Sequence, residues 1–449
     1  MKLIQKYLCR ASVLVGLLGS ISFLTAGSPQ EPIRVDARLD RPVVYANQSG
    51  KVVVQIELQP EKIASSQERA PVNLGLVLDR SGSMRGEKMR QAIEAARLAV
   101  SQLGPQDIIS VVIYDNEIDT IAPAGKAARE YRESIRRELS LVTPRGNTAI
   151  YGGLTQAAAE LRKFGKEGYV NRLILLSDGL ANEGPSAPSD FGRLARAFAN
   201  EDFIVSTIGL GLDFNEDIMT TLAAAGQGNT YFVETARDLP RIFERELGDV
   251  LSVAATDIEI TIRSREGIKV LRGIGREAEV EGGRVARVRM PQVYGGLDKL
   301  ALVELEVPAG EAGERRELID VEVSYRPASG GEMRRQQLVV PVTYSAAQEE
   351  VAKAVQEEVV VNVAENRIAE SKVQAIAYAD AGDLQSAGGI LRAAAEDLHR
   401  DYDGYAVDDE VSSVSATTET EADEIESSGL SNRKRKEYRS DSYQTVNQQ

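Results

Sequence analysis

The segment richest in chemical groups is Val77-Leu78-Asp79-Arg80-Ser81-Gly82-Ser83-Met84. An apolar run ends there and delivers one carboxylate and two hydroxyls, just before a predicted helix near Glu87. On a tight loop, alternate side chains can converge on one point. All three groups are hard oxygen donors, a set that suits Mg²⁺, Mn²⁺ or Ca²⁺ rather than a soft metal. Taken alone, the same residues read equally well as an Asp/Ser cap for the following helix. Two further segments point the same way. Leu173-Ile174-Leu175-Leu176-Ser177-Asp178-Gly179 is a second apolar run ending in an acidic residue and a glycine turn. Thr143-Pro144-Arg145-Gly146-Asn147-Thr148 is a turn-rich loop that brings the Thr148 hydroxyl to the start of another helix.

Composition removes most competing chemistries. The 449 residues include one histidine, one cysteine and no tryptophan. Zinc sites built from His and Cys cannot be assembled, nor can an ordinary Cys–His nucleophile pair. A Ser-His-Asp triad would have to recruit His399, which lies in a helical stretch near the C-terminus. The net charge of −15 is scattered, whereas phosphate backbones require a concentrated basic face, so nucleic acid is not an expected partner.

The elements that must hold these residues follow from periodicity. At roughly 150 residues per domain the length suits about three domains. Between residues 72 and 250, short apolar runs (74–78, 108–114, 173–176, 204–208, 231–233) alternate with amphipathic stretches (87–103, 128–139, 149–164, 191–200, 216–225, 239–251). Runs apolar on both faces need cover on both faces, which predicts an α/β fold with a doubly wound, mainly parallel sheet. In such a sheet, ligands gather at the carboxyl ends of the strands where strand order reverses, and loops after the first and fourth strands would meet there. Residues 117–121 follow a two-residue turn and read as an antiparallel edge strand. From 254 to 345 the pattern alternates with period two, predicting an antiparallel β-sandwich.

The domain map expected from these patterns has six parts. Residues 1–27 carry Lys2, Lys6 and Arg10 before an apolar run and small residues, the pattern of an export signal. That run is short for a span of about 20 residues, so cleavage and an exported location, in the periplasm or cell envelope or secreted, are expected. An uncleaved signal would serve as an N-terminal anchor, and no other segment reads as a membrane span. Residues 28–70 hold short strands, too few to be stable alone, which would pair with the later β domain. Residues 71–251 form the α/β domain and 252–345 the sandwich. Residues 346–402 read as a helical hairpin, and 403–449, rich in carboxylates with a basic cluster at 433–436, as a disordered charged tail.

With Asp79, Ser81, Ser83, Thr148 and Asp178 in this order, residues 72–250 resemble the von Willebrand factor type A domain with a complete metal-ion-dependent adhesion site. Segments 208–215 and 226–231 are similar to late-strand segments of secreted members. The resemblance implies that Ser81, Ser83 and Thr148 bind a divalent cation directly, Mg²⁺ foremost. Asp79 and Asp178 would act largely through bound water. It implies a protein partner that offers an Asp or Glu to the ion's open position, and no enzymatic activity. The flanking β segments loosely resemble inter-α-trypsin inhibitor heavy chains and calcium-activated chloride channel-like proteins. Two other readings remain at this point. One is an envelope assembly factor that works through its helical C-terminal region. The other is a metal-dependent phosphoesterase, which lacks a Gly-rich phosphate cradle of the GxxxxGK type. Asp115, Asn116, Glu117 and Asp119 form an acidic turn that suits a hairpin better than a second Ca²⁺ site.

Overall fold

The computed structural model describes residues 32–63, 69–165, 168–405 and 407–448. The expected export signal, residues 1–27, lies outside the described residues. The chain opens with β1 (Ile33–Leu39), β2 (Val43–Tyr45) and β3 (Gly50–Pro60). It continues through β4 (Val72–Asp79), α1 (Glu87–Gln102), β5 (Ile108–Tyr114), β6 (Ile118–Lys126), α2 (Arg129–Ser140) and α3 (Ile150–Arg162). Next come β7 (Val170–Ser177), α4 (Pro188–Ala199), β8 (Phe203–Leu210), α5 (Glu216–Ala225), β9 (Gln227–Val233) and α6 (Leu239–Leu251). Seven strands follow: β10 (Val253–Ser264), β11 (Lys269–Ile274), β12 (Glu279–Glu281), β13 (Val285–Tyr294), β14 (Lys299–Val307), β15 (Arg315–Pro327) and β16 (Arg334–Ser345). The last elements are α7 (Gln348–Lys353), α8 (Glu357–Asp380), α9 (Leu384–Tyr402), α10 (Asp408–Ser428) and α11 (Asn432–Asn447).

The central sheet has the order β6-β5-β4-β7-β8-β9. All neighbours run parallel except β6, which is antiparallel to β5. Every residue of β4, β5, β7 and β8 is buried, which explains their unbroken apolar sequences. Helices α1, α2 and α6 cover one face through Ala95, Ala99, Ile135, Leu139, Phe243 and Leu247. Helices α3, α4 and α5 cover the other through Leu154, Leu161, Phe191, Phe198, Ile218 and Leu222. The fold is thus α/β with a doubly wound, mainly parallel sheet.

Two antiparallel sheets, β1-β3-β14-β11 and β12-β13-β10-β15-β16-β2, pack face to face. The period-two alternation explains their core: Val52, Val54, Ile56 and Leu58 of β3 meet Ile258, Ile260 and Ile262 of β10 inside the sandwich. β3 pairs with β14 across more than two hundred residues of chain, Val54 opposite Val303. The opposite face of β3 is also buried, because Val53, Ile274 and Leu302 receive Val359 and Val363 of α8.

The segment expected to be a disordered tail is instead two helices. α10 lies along α9, with Ala422 and Ile425 packed on Ala387 and Leu391. Val407 and Val411 pack on Leu398 and Tyr402. The apolar positions 407, 411, 414, 422 and 425 follow helical spacing, and the abundance of carboxylates around them hid that stripe. α11 carries the basic cluster against acidic groups: Arg435 pairs with Glu216, Asp217 and Asp380, and Lys436 with Glu216. A charge run that finds its complement on the same chain is no longer a solvated tail.

α11 also seals the edge of the central sheet. β9 has a neighbour on one side only. Its outward backbone groups are met by one face of α11: Tyr443 Oη donates to Gly228 O at 2.7 Å, and Gln444 Nε2 to Thr230 O at 3.1 Å. Phe232 N–H donates to Ser440 Oγ at 3.3 Å. Side chains at i, i+3 and i+4 of a helix thereby replace the missing strand.

Candidate metal centre

Asp79 closes β4, and Asp178 directly follows β7. These strands are paired in parallel with Leu78 opposite Leu176, so both acids leave the same end of the sheet. β5 lies to one side of β4 and β7 to the other, so the helices that follow diverge and open a crevice at this end.

The loop after β4 is shaped by its own aspartate. Asp79 Oδ1 accepts the Ser81 N–H at 2.7 Å, and Oδ2 accepts the Ser177 hydroxyl at 2.7 Å. The turn brings the Ser81 and Ser83 hydroxyls to 2.9 Å from each other, and Ser83 Oγ donates to Asp178 Oδ1 at 2.6 Å. Loop 143–148 is laced to this turn by Gly82 N–H to Gly146 O at 3.1 Å and Arg145 N–H to Arg80 O at 2.8 Å. Gly146 has φ +68°, and a Cβ there would lie 2.3 Å from Asn116 Oδ1, so only glycine fits. Thr148 is buried, its N–H held by Asn182 Oδ1 at 2.7 Å. A Cβ built on Gly179 would lie 3.4 Å from Thr148 Oγ1 and 3.5 Å from Ser83 Oγ, so both hydroxyls border one small space. All five side chains named from the sequence are at this end of the sheet.

The charge balance decides what the space suits. Asp79 and Asp178 are both 0 % exposed. Asp79 is bonded to neutral donors, and burial pushes its carboxyl up to about 6. The Ser81 and Ser177 hydrogen bonds oppose the rise, and the nearby Asp178 adds to it. Asp178 Oδ2 accepts Lys88 Nζ at 2.6 Å. Two buried carboxylates against one ammonium leave a negative charge that a cation would compensate. Among the described residues, no group of three or more His, Cys, Asp or Glu side chains is placed to share an ion. The donor set here is hydroxyls with two carboxylates, which fits a hard divalent cation. Ser81, Ser83 and Thr148 would hold it, leaving it strongly Lewis-acidic.

Three residues of this region were not singled out from the sequence: Lys88, Ser177 and Asn182. Lys88 had a readable signal, because a lysine in the first turn of a helix opposes the helix dipole and calls for a compensating anion. The acidic turn after β5 is neutralised: Arg80 Nε lies 3.1 Å and Arg145 Nε 2.7 Å from Asp115 Oδ2. Although burial raises the Asp115 carboxyl, the Glu117 N–H, Arg145 and Arg80 together hold it below the usual range. His399 is exposed in the last turn of α9, away from these loops.

Residues 73–245 match the model of the von Willebrand factor type A domain. The chain is 24 % identical over 342 residues to "Uncharacterized protein sll0103" of Synechocystis sp., an alignment covering 73 % of this chain and 79 % of that protein. It is 26 % identical over 164 residues to inter-alpha-trypsin inhibitor heavy chain H3 of Pongo abelii, covering 35 % of this chain but 19 % of the heavy chain. A solved von Willebrand factor type A structure from Catenulispora acidiphila superposes with a TM-score of 0.64 at 16 % identity, covering 90 % of this chain and 97 % of that one. That likeness extends the shared fold well beyond the central sheet. Residues 73–245 of this chain are therefore a von Willebrand factor type A domain.

Proposed function

We propose that this protein binds a partner protein through a divalent cation held by Asp79, Ser81, Ser83, Thr148 and Asp178. Mg²⁺ is the first choice, with Ca²⁺ and Mn²⁺ as alternatives. Von Willebrand factor type A domains commonly mediate protein–protein interaction, and the likeness to heavy chain H3 supports the same role here. The observation that carries the reading is the pair of fully buried carboxylates with three hydroxyls and a single ammonium around them. Neutral alcohol ligands leave a divalent ion short of negative charge, and an Asp or Glu of a partner supplies it in a charge-assisted contact.

Binding rather than catalysis is the role this site suits. The Ser81 and Ser83 hydroxyls are bonded to each other, Ser83 also to Asp178, and the described residues place no imidazole or thiol among them. The work of this site belongs outside the cytoplasm, in the periplasm, cell envelope or medium, given the apolar run before residue 27. No helix among the described residues is long and apolar enough to cross a membrane.

Titration calorimetry with MgCl₂, MnCl₂ and CaCl₂ on the full chain tests the first half. Saturable heat that disappears in Asp79→Ala and Asp178→Ala is expected. Capture of partners from an envelope fraction tests the second half, with retention lost in EDTA and in Asp79→Ala. Absence of cation heat on a folded protein sinks the proposal, as does capture that ignores the chelator.

A further inference from the structure

Lys88 carries a role that rests on the cation reading above and goes beyond it. It is the second residue of α1, where the helix dipole disfavours a cation. It is nevertheless turned inward, with Nζ 2.6 Å from Asp178 Oδ2. The other oxygen of Asp178 takes the Ser83 hydroxyl at 2.6 Å. Both oxygens of this acid are thus engaged by donors of the chain, one of them a full positive charge. The two oxygens of Asp79 accept neutral donors instead, among them the Ser81 N–H and the Ser177 hydroxyl. Gly211, with φ +77°, backs the ammonium from the loop after β8, where a Cβ would sit 3.6 Å from Nζ. A side chain longer than a methyl group at this position would press on the lysine.

We propose that Lys88 is a positioning residue that neutralises Asp178 and keeps it from ligating the cation directly, so that the loaded site selects a carboxylate. Charge counting shows why. Two aspartates against one divalent ion cancel, and a site so balanced has no electrostatic preference for an anionic partner. With the ammonium included, one positive charge remains, set against two fully buried carboxylates. A single Asp or Glu of the partner matches it. The lysine also lowers the intrinsic affinity for the metal, because its charge repels the ion. Selectivity for the partner's acid is obtained at that expense.

The test uses Mn²⁺ on the full chain, comparing wild type, Lys88→Met and Lys88→Arg. Calorimetry reads affinity, water-proton relaxation reads the number of waters on the bound ion, and added acetate serves as the carboxylate probe. Lys88→Met is expected to bind Mn²⁺ at least about tenfold more tightly, the size of effect that one neighbouring charge exerts. It should hold fewer exchangeable waters, as Asp178 swings into direct contact, and acetate should displace little of the remainder. Lys88→Arg keeps the charge and should stay close to wild type in both readouts. Affinity and relaxation unchanged in Lys88→Met, while wild type binds Mn²⁺, overturn the role of Lys88 and leave the metal site standing. Failure of the folded wild type to bind Mn²⁺ overturns both.

Discussion

A carboxylate sealed from water and bonded only to neutral donors holds its charge unfavourably, and Asp79 is in that position. Removing the charge therefore helps the metal-free fold while abolishing what the charge is for. In EDTA at pH 7, Asp79→Asn is expected to unfold no more easily than wild type, and up to roughly 2 kcal/mol less easily. In MgCl₂ the order reverses, because wild type gains from cation linkage and the variant does not. Paired thermal melts with and without the metal check this. A variant that is less stable in EDTA and still rises with Mg²⁺ contradicts it. The same logic explains the neighbouring acidic turn, where Asp115 has two arginines and needs no ion.

Among the elements, α11 is the one whose composition most misleads. Its sequence is polar but for Val446, yet Lys436 is 2 % exposed, with Nζ donating to Phe214 O at 2.7 Å and lying 4.3 Å from the Phe214 ring centroid. A buried lysine is tolerated because Glu216 faces it. Lys436→Ala should cost roughly 2–3 kcal/mol, less than the about 3–5 kcal/mol of an orphaned buried charge, since Arg435 still holds Glu216. The loss should appear in urea titration. Hydrogen exchange should show faster exchange in β9, whose edge loses its cover when α11 loosens. Equal protection of β9 in both proteins would show that the helix is not what seals that edge.

The parts of the protein are joined by a polar seam where one would expect an apolar one. Arg172 of β7, fully buried, donates to Ser206 Oγ at 3.0 Å and to Gln292 Oε1 and Tyr294 Oη of β13 at 2.9 and 3.1 Å. It lies 3.4 Å from Glu246 of α6. Beside it, Lys299 of β14 donates to the carbonyl of Asn447, which ends α11, and to that of Gln448 just past it. The seam thus links the central sheet, the sandwich and the final helix. Burial pushes Lys299 down to about 7; Arg276, Arg172 and Arg245 lower it further, and Asp249 opposes them. A lysine with a depressed folded value is charged at a cost below about pH 7, and the unfolded chain binds the extra proton from there up to about 10. Its contribution to stability therefore improves as pH rises through that window. Wild type should gain on Lys299→Met in thermal midpoint between pH 7 and 9, and a pH-independent difference would rule this out.

Much of this architecture is written in local order. The unbroken apolar runs at 74–78 and 173–176 require cover on both faces, and alternation in 258–262 requires one wet face. The helical period of α1 to α6 supplies the cover. Asp79, Ser81 and Ser83 were readable because they are neighbours in the chain, and a tight turn leaves them little choice but to converge. The partners of those groups were not readable. Lys88 finds Asp178 across ninety positions, Tyr443 finds Gly228 across 215, and Arg172 finds Gln292 across 120. Periodicity tells which face of a segment must be buried but not what will bury it, and charge counts do not tell which acids a basic helix will meet. Those choices were made by packing, where the sheets and the C-terminal helices bring distant groups within bonding distance and water no longer competes for them.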